Sequence, residues 1–330
     1  MYGPFFTRGE VIMRIASLLI SLIAILPVHA QDKDKKKAEP KKLANVFTDI
    51  ADAPLDYRIQ GEYANDKDSV AFQVVARGSG KFDVYILEGG LPGAGWDPKS
   101  AKIKIEAKLD ADKGIAAFKN SGHEGVIEAG KKQLYWKSED LRFSRVERQS
   151  PMLGAKPPEG ALILFDGKHT DEWKDGKMSG EFLGVPATTK KNFKDFKLHI
   201  EFRTPFQPTA GGQGRGNSGV YLLGREVQVL DSFGLKGVND ECGGLYGFRA
   251  PDVNMCFPPL VWQTYDIEYR TGKIDADTKK QGSPRITVSH NGVLIHENIE
   301  LKGGGNQGNI HLQNHGNPVV YRNIWLLELK

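Results

Sequence analysis

The chain has only two cysteines in 330 residues, too few for a disulfide framework or a cysteine-rich zinc cluster. It has little excess of either charge: the formal net charge of +4 comes wholly from residues 1–42, and the remainder is balanced. A neutral body argues against nucleic acid as a partner. Long apolar runs are absent as well. The longest, residues 15–26, falls short of the about 20 residues a bilayer span needs. No sustained helical period appears, and strand-like runs follow one another without helices between them, which points to an all-β protein.

Arg14, the apolar run 15–26 and Pro27-Val28-His29-Ala30 have the layout of a secretory signal, so residues 1–30 are expected to be removed. Retention as an N-terminal anchor is the alternative, and either way the chain is expected to be exported, to the periplasm, the cell surface or the medium. With the signal removed, no transmembrane span is expected. Residues 31–42 are Lys-rich and nearly free of apolar side chains, the composition of a disordered tether. Residues 43–149 read as a small β-rich module. Ile103, Ile105 and Ala107 alternate there with Lys102, Lys104, Glu106 and Lys108, and Gly78-Ser79-Gly80 joins two further strands. Its aromatics Tyr57, Tyr63, Phe72, Phe82, Tyr85 and Trp96 are expected in the core. Residues 150–160, with three prolines and two glycines, suit a linker.

Residues 161–330 alternate repeatedly. Leu198, Ile200 and Phe202 interleave with His199, Glu201 and Arg203, and Asn291-Gly292 is a strong hairpin signal. Such a series predicts a two-layer antiparallel β-sandwich. The stretch 217–231 is the expected floor of a site. Val227 and Val229 alternate with Glu226 and Gln228, so one face packs while the other binds, and the broken parity at Leu230-Asp231 predicts that the strand ends or bulges there.

This second module resembles the 3-keto-disaccharide hydrolase domain family, whose fold is a concanavalin-like (laminin-G-like) jelly roll, over residues 161–330. The resemblance rests on ordered motifs: LFDGK at 164–168 followed by Trp173, FKLHIEFR at 196–203, NSGVYL at 217–222, EVQVLDS at 226–232, CGGLYG at 242–247, WQTYDI at 262–267, NGV at 291–293, LQNHG at 312–316 and RNIW at 322–325. Asn314 stands where the family commonly has an acid. The family implies a pyranose already oxidised at C3. The ketone acidifies the C2 proton, a base removes it, the C1 substituent leaves by β-elimination, and water adds back for net hydrolysis. Such a site needs a base near C2, a cationic or hydrogen-bonding group near the C3 oxygen and an acid near O1.

Glu201 with Arg203, Glu226 with Gln228, and His311, Gln313 and His315 keep matching parities. Strands in one sheet would let these polar faces converge on a shared hollow. The role assignment is His315 or Glu226 as base, Arg322 or Arg203 on the C3 oxygen, and Glu201 as proton donor. Asn217, Gln228 and Gln313 read hydroxyls, and Asp231 and Trp262 join the substrate-binding set. No cofactor is required by the sequence; a divalent cation on Asp231, Glu226 and His315 would be a Lewis acid, but no spacing motif demands one. The glycine-rich run 211–216 lacks the Lys-Ser/Thr ending of a phosphate loop and reads as a rim loop, with Arg215 reaching toward the cleft. Cys242 and Cys256 flank a Gly/Pro-rich loop and are a candidate disulfide, with two free thiols the alternative. The expected partner is a carbohydrate. The rival reading is a non-catalytic glycan-binding module using Trp173, Tyr221, Tyr246 and Trp262 as platforms, and a third is a surface scaffold.

Overall fold

The computed structural model describes residues 45–67 and 69–330, which belong to one compact unit. The expected signal 1–30, the tether 31–42 and the first two residues of the 43–149 module lie outside the described residues.

The first module closes on itself. Eight antiparallel strands (Gly61–Ala64, Val70–Gly78, Lys81–Glu88, Lys102–Asp110, Ile115–Lys119, Glu124–Glu128, Gln133–Trp136 and Leu141–Val146) form a barrel, shut by Glu62 pairing with both Val146 and Gln73. Alternation drives this closure. Phe72, Val74, Phe82, Val84, Ile105, Phe118, Leu134 and Phe143 all fill the interior, so the barrel is a packed core. Of the six aromatics expected in the core, five are buried and Tyr85 is half-buried. One element escaped the sequence reading, the five-residue helix Leu55–Ile59. Its Tyr57 and Ile59 pack with Phe206 and Leu260 of the second module against the barrel core.

The second module is the expected sandwich. An eight-stranded antiparallel sheet is centred on Phe196–Arg203, flanked by Gln263–Arg270 on one side and Val320–Glu328 on the other. A five-stranded sheet runs Trp173–Lys174, Ala187–Thr189, Ile310–Leu312, Ser218–Leu222, Arg225–Val229. Leu198, Ile200 and Phe202 from the first sheet and Val220, Leu222, Val227 and Val229 from the second share one core. Asn291 and Gly292 both take positive φ in the tight turn between Arg285–His290 and Val293–Glu300. The strand ending at Val229 stops where parity fails, and Asp231 turns into the interior.

The segment 150–160 is no free linker. Ser150 Oγ bonds Thr264 Oγ1 at 2.7 Å, the Gly154 N–H donates to Glu201 Oε1 at 2.6 Å, and the Ala155 carbonyl accepts from Asn323 and Trp325 at 3.1 Å each. It is a strap laid over the outer face of the larger sheet. Cys242 and Cys256 are free, buried thiols rather than a bridge. Each sulfur has its own oxygen partner, the Tyr265 hydroxyl at 3.2 Å and the Leu230 carbonyl at 3.5 Å.

Candidate active site

The outer face of the five-stranded sheet carries a pocket of about 150 Å³ lined by Gln213, Asn217, Tyr221, Glu226, Gln228, Tyr246, Gln313 and His315. Strand register builds it. Tyr221 pairs with Glu226 on one side and His311 on the other, and His311 pairs with Thr188, so four polar side chains form one row across the sheet. In the next row Gly219 pairs with Gln228. That glycine has a specific use: a Cβ there would stand 2.0 Å from Glu226 Oε1, so its absence gives the carboxyl room over the pocket floor.

Glu226 is buried, and burial pushes its carboxyl above the ordinary range, partly offset by a hydrogen bond from Tyr221. The Tyr221 phenol is pushed up by burial and by that same carboxyl, so it stays a proton-bearing donor. Next to it, His311 Nδ1 lies 2.8 Å from Thr188 Oγ1, and burial lowers the imidazole pKa. Gln213 ties the amides together. Its Oε1 accepts from Asn217 Nδ2 and Gln228 Nε2, both at 2.9 Å, and Gln313 Nε2 donates to the Tyr221 hydroxyl at 3.3 Å. Asn217 Oδ1 and Gln313 Oε1 are buried with no hydrogen-bond partner among the described residues. Buried acceptors without donors cost free energy, so these two await hydroxyls from a ligand. Exposed His315 and Tyr246, the latter 42% exposed, stand at the mouth.

The other expected residues lie elsewhere. Glu201, Arg203, Arg322 and Trp262 belong to the outer side of the eight-stranded sheet, and since both sheets turn their apolar residues inward, their polar faces look away from each other across the core. Glu201 is 1% exposed at its side chain, and its oxygens are saturated by Gly154 N–H, Asn323 Nδ2 at 2.9 Å and Arg322 Nε at 2.7 Å. Burial opposes its charge, but His199, Asn323, Gly154 and Arg322 outweigh it and bring the carboxyl down to about 2. An acid so fully ionised and covered by a strap is a poor proton donor at neutral pH. Arg322 and Arg203 lie over the Trp262 ring at 4.1 and 5.0 Å, which removes Trp262 as a sugar platform of the pocket. Trp173 is buried, with its indole N–H on the Leu164 carbonyl at 2.8 Å.

Asp231 also departs from its expected place. Its Oδ2 accepts from Arg215 Nε at 2.6 Å, with both side chains almost wholly buried. Asp231, Glu226 and His315 therefore do not form a cation-ligand set, and among the described residues no group of three His, Cys, Asp or Glu is placed to hold a metal ion. Arg215 points away from the cleft, and Gln213 of the same loop reaches it instead. The sequence reading missed Gln213 and gave Tyr221 only a stacking role. The signal for Tyr221 was available in its parity with Gly219, directly opposite the polar positions 226 and 228.

Comparison with known proteins adds the family. The profile of the 3-keto-alpha-glucoside-1,2-lyase-like domain matches residues 160–327. No curated protein matches the chain. Among solved structures it is similar to a "putative glycosyl hydrolase" from Parabacteroides distasonis ATCC 8503, at 33% identity and a TM-score of 0.48, over 52% of this chain and 85% of that one. Two further structures of that name and organism, at 19% and 20% identity, have TM-scores of 0.40 and 0.39 and cover 52% and 51% of this chain and 95% and 99% of theirs. By the match over residues 160–327, the chain belongs to the 3-keto-alpha-glucoside-1,2-lyase-like domain family, a family of carbohydrate-active proteins.

Proposed function

We propose that the Glu226 pocket cleaves the glycosidic bond of 3-keto-glycosides by elimination followed by hydration. One observation carries the reading: a buried carboxyl of raised pKa, bonded to a phenol, stands in a pocket with two unpartnered acceptor oxygens. A raised carboxyl is a stronger base than a free one, which suits removal of a proton beside a ketone. Glu226 takes the C2 proton, and the electron pair moves onto the C3 oxygen as an enolate. The Tyr221 hydroxyl donates to that oxygen, the task first assigned to an arginine. The enolate then re-forms the ketone, C1=C2 forms, and the C1–O1 bond breaks. His315 stands at the mouth, where the leaving group must emerge, and gives O1 its proton. Addition of water across C1=C2 returns the proton to C2 and completes net hydrolysis. Asn217 and Gln313 accept from sugar hydroxyls, and Gln228 fixes their hub at Gln213.

A purely binding role is less well supported, because of the four aromatics it needs, Trp173 is buried and Trp262 is covered by arginines. Incubation with a 3-keto-glucoside and with its unoxidised parent tests the reading. Aglycone release from the ketone alone, abolished by Glu226→Gln, is expected. Equal release from both substrates, or full activity in the variant, would refute it. Export follows from residues 14–30 as a separate proposal, and a mature N-terminus at Gln31 in the exported fraction is its test.

A further inference from the structure

The barrel's interior is filled with apolar side chains, yet polar contacts from its surface fall on one loop that lines the pocket and on a second that bonds the pocket's amides from behind. The first loop is 211–217. Gln213 and Asn217 face the pocket, and Arg215 between them turns the opposite way. Arg215 Nε donates to Asp231 Oδ2 at 2.6 Å, and its Nη1 donates at 3.1 Å to the carbonyl of Ala76, in the barrel strand Val70–Gly78. The Asp231 N–H donates back to the Arg215 carbonyl at 3.1 Å, which closes the ring.

The second loop is 232–241. Gly234 lies so close to the barrel that a Cβ would stand 2.3 Å from Val75 Cγ2. Lys102, on the barrel strand Lys102–Asp110, donates its Nζ to the carbonyls of Gly234 and Leu235 at 3.4 and 3.1 Å, and the same ammonium lies 4.6 Å from the centre of the Trp96 ring. A half-buried ammonium requires such acceptors, so the loop and the lysine fix one another. Further along this loop the Asp240 carbonyl accepts from Gln213 Nε2 at 2.7 Å and from Gln228 Nε2 at 3.4 Å. The two braced loops thus meet at the amide hub of the pocket.

We propose that the barrel serves the sandwich in cis as a brace for the pocket, with Arg215 and Lys102 as positioning residues for Gln213, Asn217 and Gln228. The functional consequence rests on the Glu226 pocket being the active site; the brace itself concerns the order of two loops and is measurable without turnover. Hydrogen exchange read by mass spectrometry on the full chain separates the two. In Lys102→Met, exchange at 211–217 and 232–241 should quicken about tenfold. Barrel strands and Phe196–Arg203 should keep their protection, and KM for a 3-keto-glucoside should rise more than kcat falls. Lys102→Arg, which keeps donors for both carbonyls, should restore both readings. Arg215→Lys, which keeps the ion pair and loses the reach to Ala76, should loosen 211–217 alone. Wild-type exchange in both loops of Lys102→Met, or a rise spread evenly over the whole chain, would overturn the brace. Loops that loosen in a protein with no activity on any keto-glucoside would uphold the brace and sink the catalytic reading.

Discussion

Replacing Gly219 by alanine should disable the pocket while leaving the fold nearly intact. The added methyl would stand 2.0 Å from Oε1, 2.9 Å from Cδ and 3.1 Å from Cγ of Glu226. Gly219 does not have a positive φ, so the backbone accepts the substitution, and the carboxyl must retreat by about 1 Å or more to regain ordinary contact. A misplacement of about 1 Å at a catalytic group costs on the order of 100-fold in rate. The obstructed atoms are the free end of a side chain, so overpacking should cost about 1 kcal/mol, at the low end for such changes. Aglycone release from a 3-keto-glucoside, with thermal unfolding in parallel, should show roughly a 100-fold loss in kcat/KM and a Tm shift of about 2–4 °C. If the methyl acts only through Glu226, the double variant Gly219→Ala/Glu226→Ala should be no slower than Glu226→Ala alone. Wild-type turnover in Gly219→Ala, or a double variant much slower than Glu226→Ala, would refute the geometry.

The pH dependence should carry the mark of the raised carboxyl. Because Glu226 must be ionised to act, kcat/KM should climb with pH along a limb above the ordinary glutamate value of 4.5, and a limb at or below that value would point to another base. The folded state favours the protonated acid, so its penalty on stability appears as pH rises through the raised pKa. Glu226→Gln, locked neutral, should be no less stable than wild type at pH 7 in urea unfolding. Glu201 behaves oppositely: with its carboxyl lowered to about 2, its contribution is full above the unfolded value near 4.5 and is lost as pH falls toward 2. Glu201→Gln should therefore lose roughly 3 kcal/mol at pH 7 and much less at pH 3, with turnover per folded molecule unchanged. An equal gap at both pH values, or a variant as inactive as Glu226→Gln, would contradict the assignment of Glu201 to the strap.

Much of the fold was legible because its signals are local. Alternation at 196–203 and 263–270 and the Asn291-Gly292 turn each need only a few consecutive residues. Closure of the barrel was not legible, since the pairing of Glu62 with Val146 joins strands more than eighty residues apart and no local pattern records it. The site divided along the same line. Glu201 and Glu226 have the same parity signature, each the polar member of an alternating strand, and only the sheet that a strand joins decides which way its polar face looks. That choice separated Glu226, Gln228, Gln313 and His315 from Glu201, Arg203 and Arg322. The strand ended at Val229, as the sequence predicted, but Asp231 turned inward and there met Arg215 rather than a sugar or a cation. The strap was hidden for a different reason: prolines and glycines mark an irregular path equally well whether it crosses solvent or lies on a sheet.

Proton exchange at C2 tests the central claim most directly, because it isolates the first step from departure of the leaving group. A 3-keto-glucoside incubated with the wild-type protein in D2O should gain deuterium at C2, followed by NMR, at least as fast as aglycone appears. Glu226→Gln should reduce both to the rate without protein. Aglycone release from the wild type with no deuterium at C2 in substrate or product, or exchange that persists in Glu226→Gln, would contradict a C2 proton removed by Glu226.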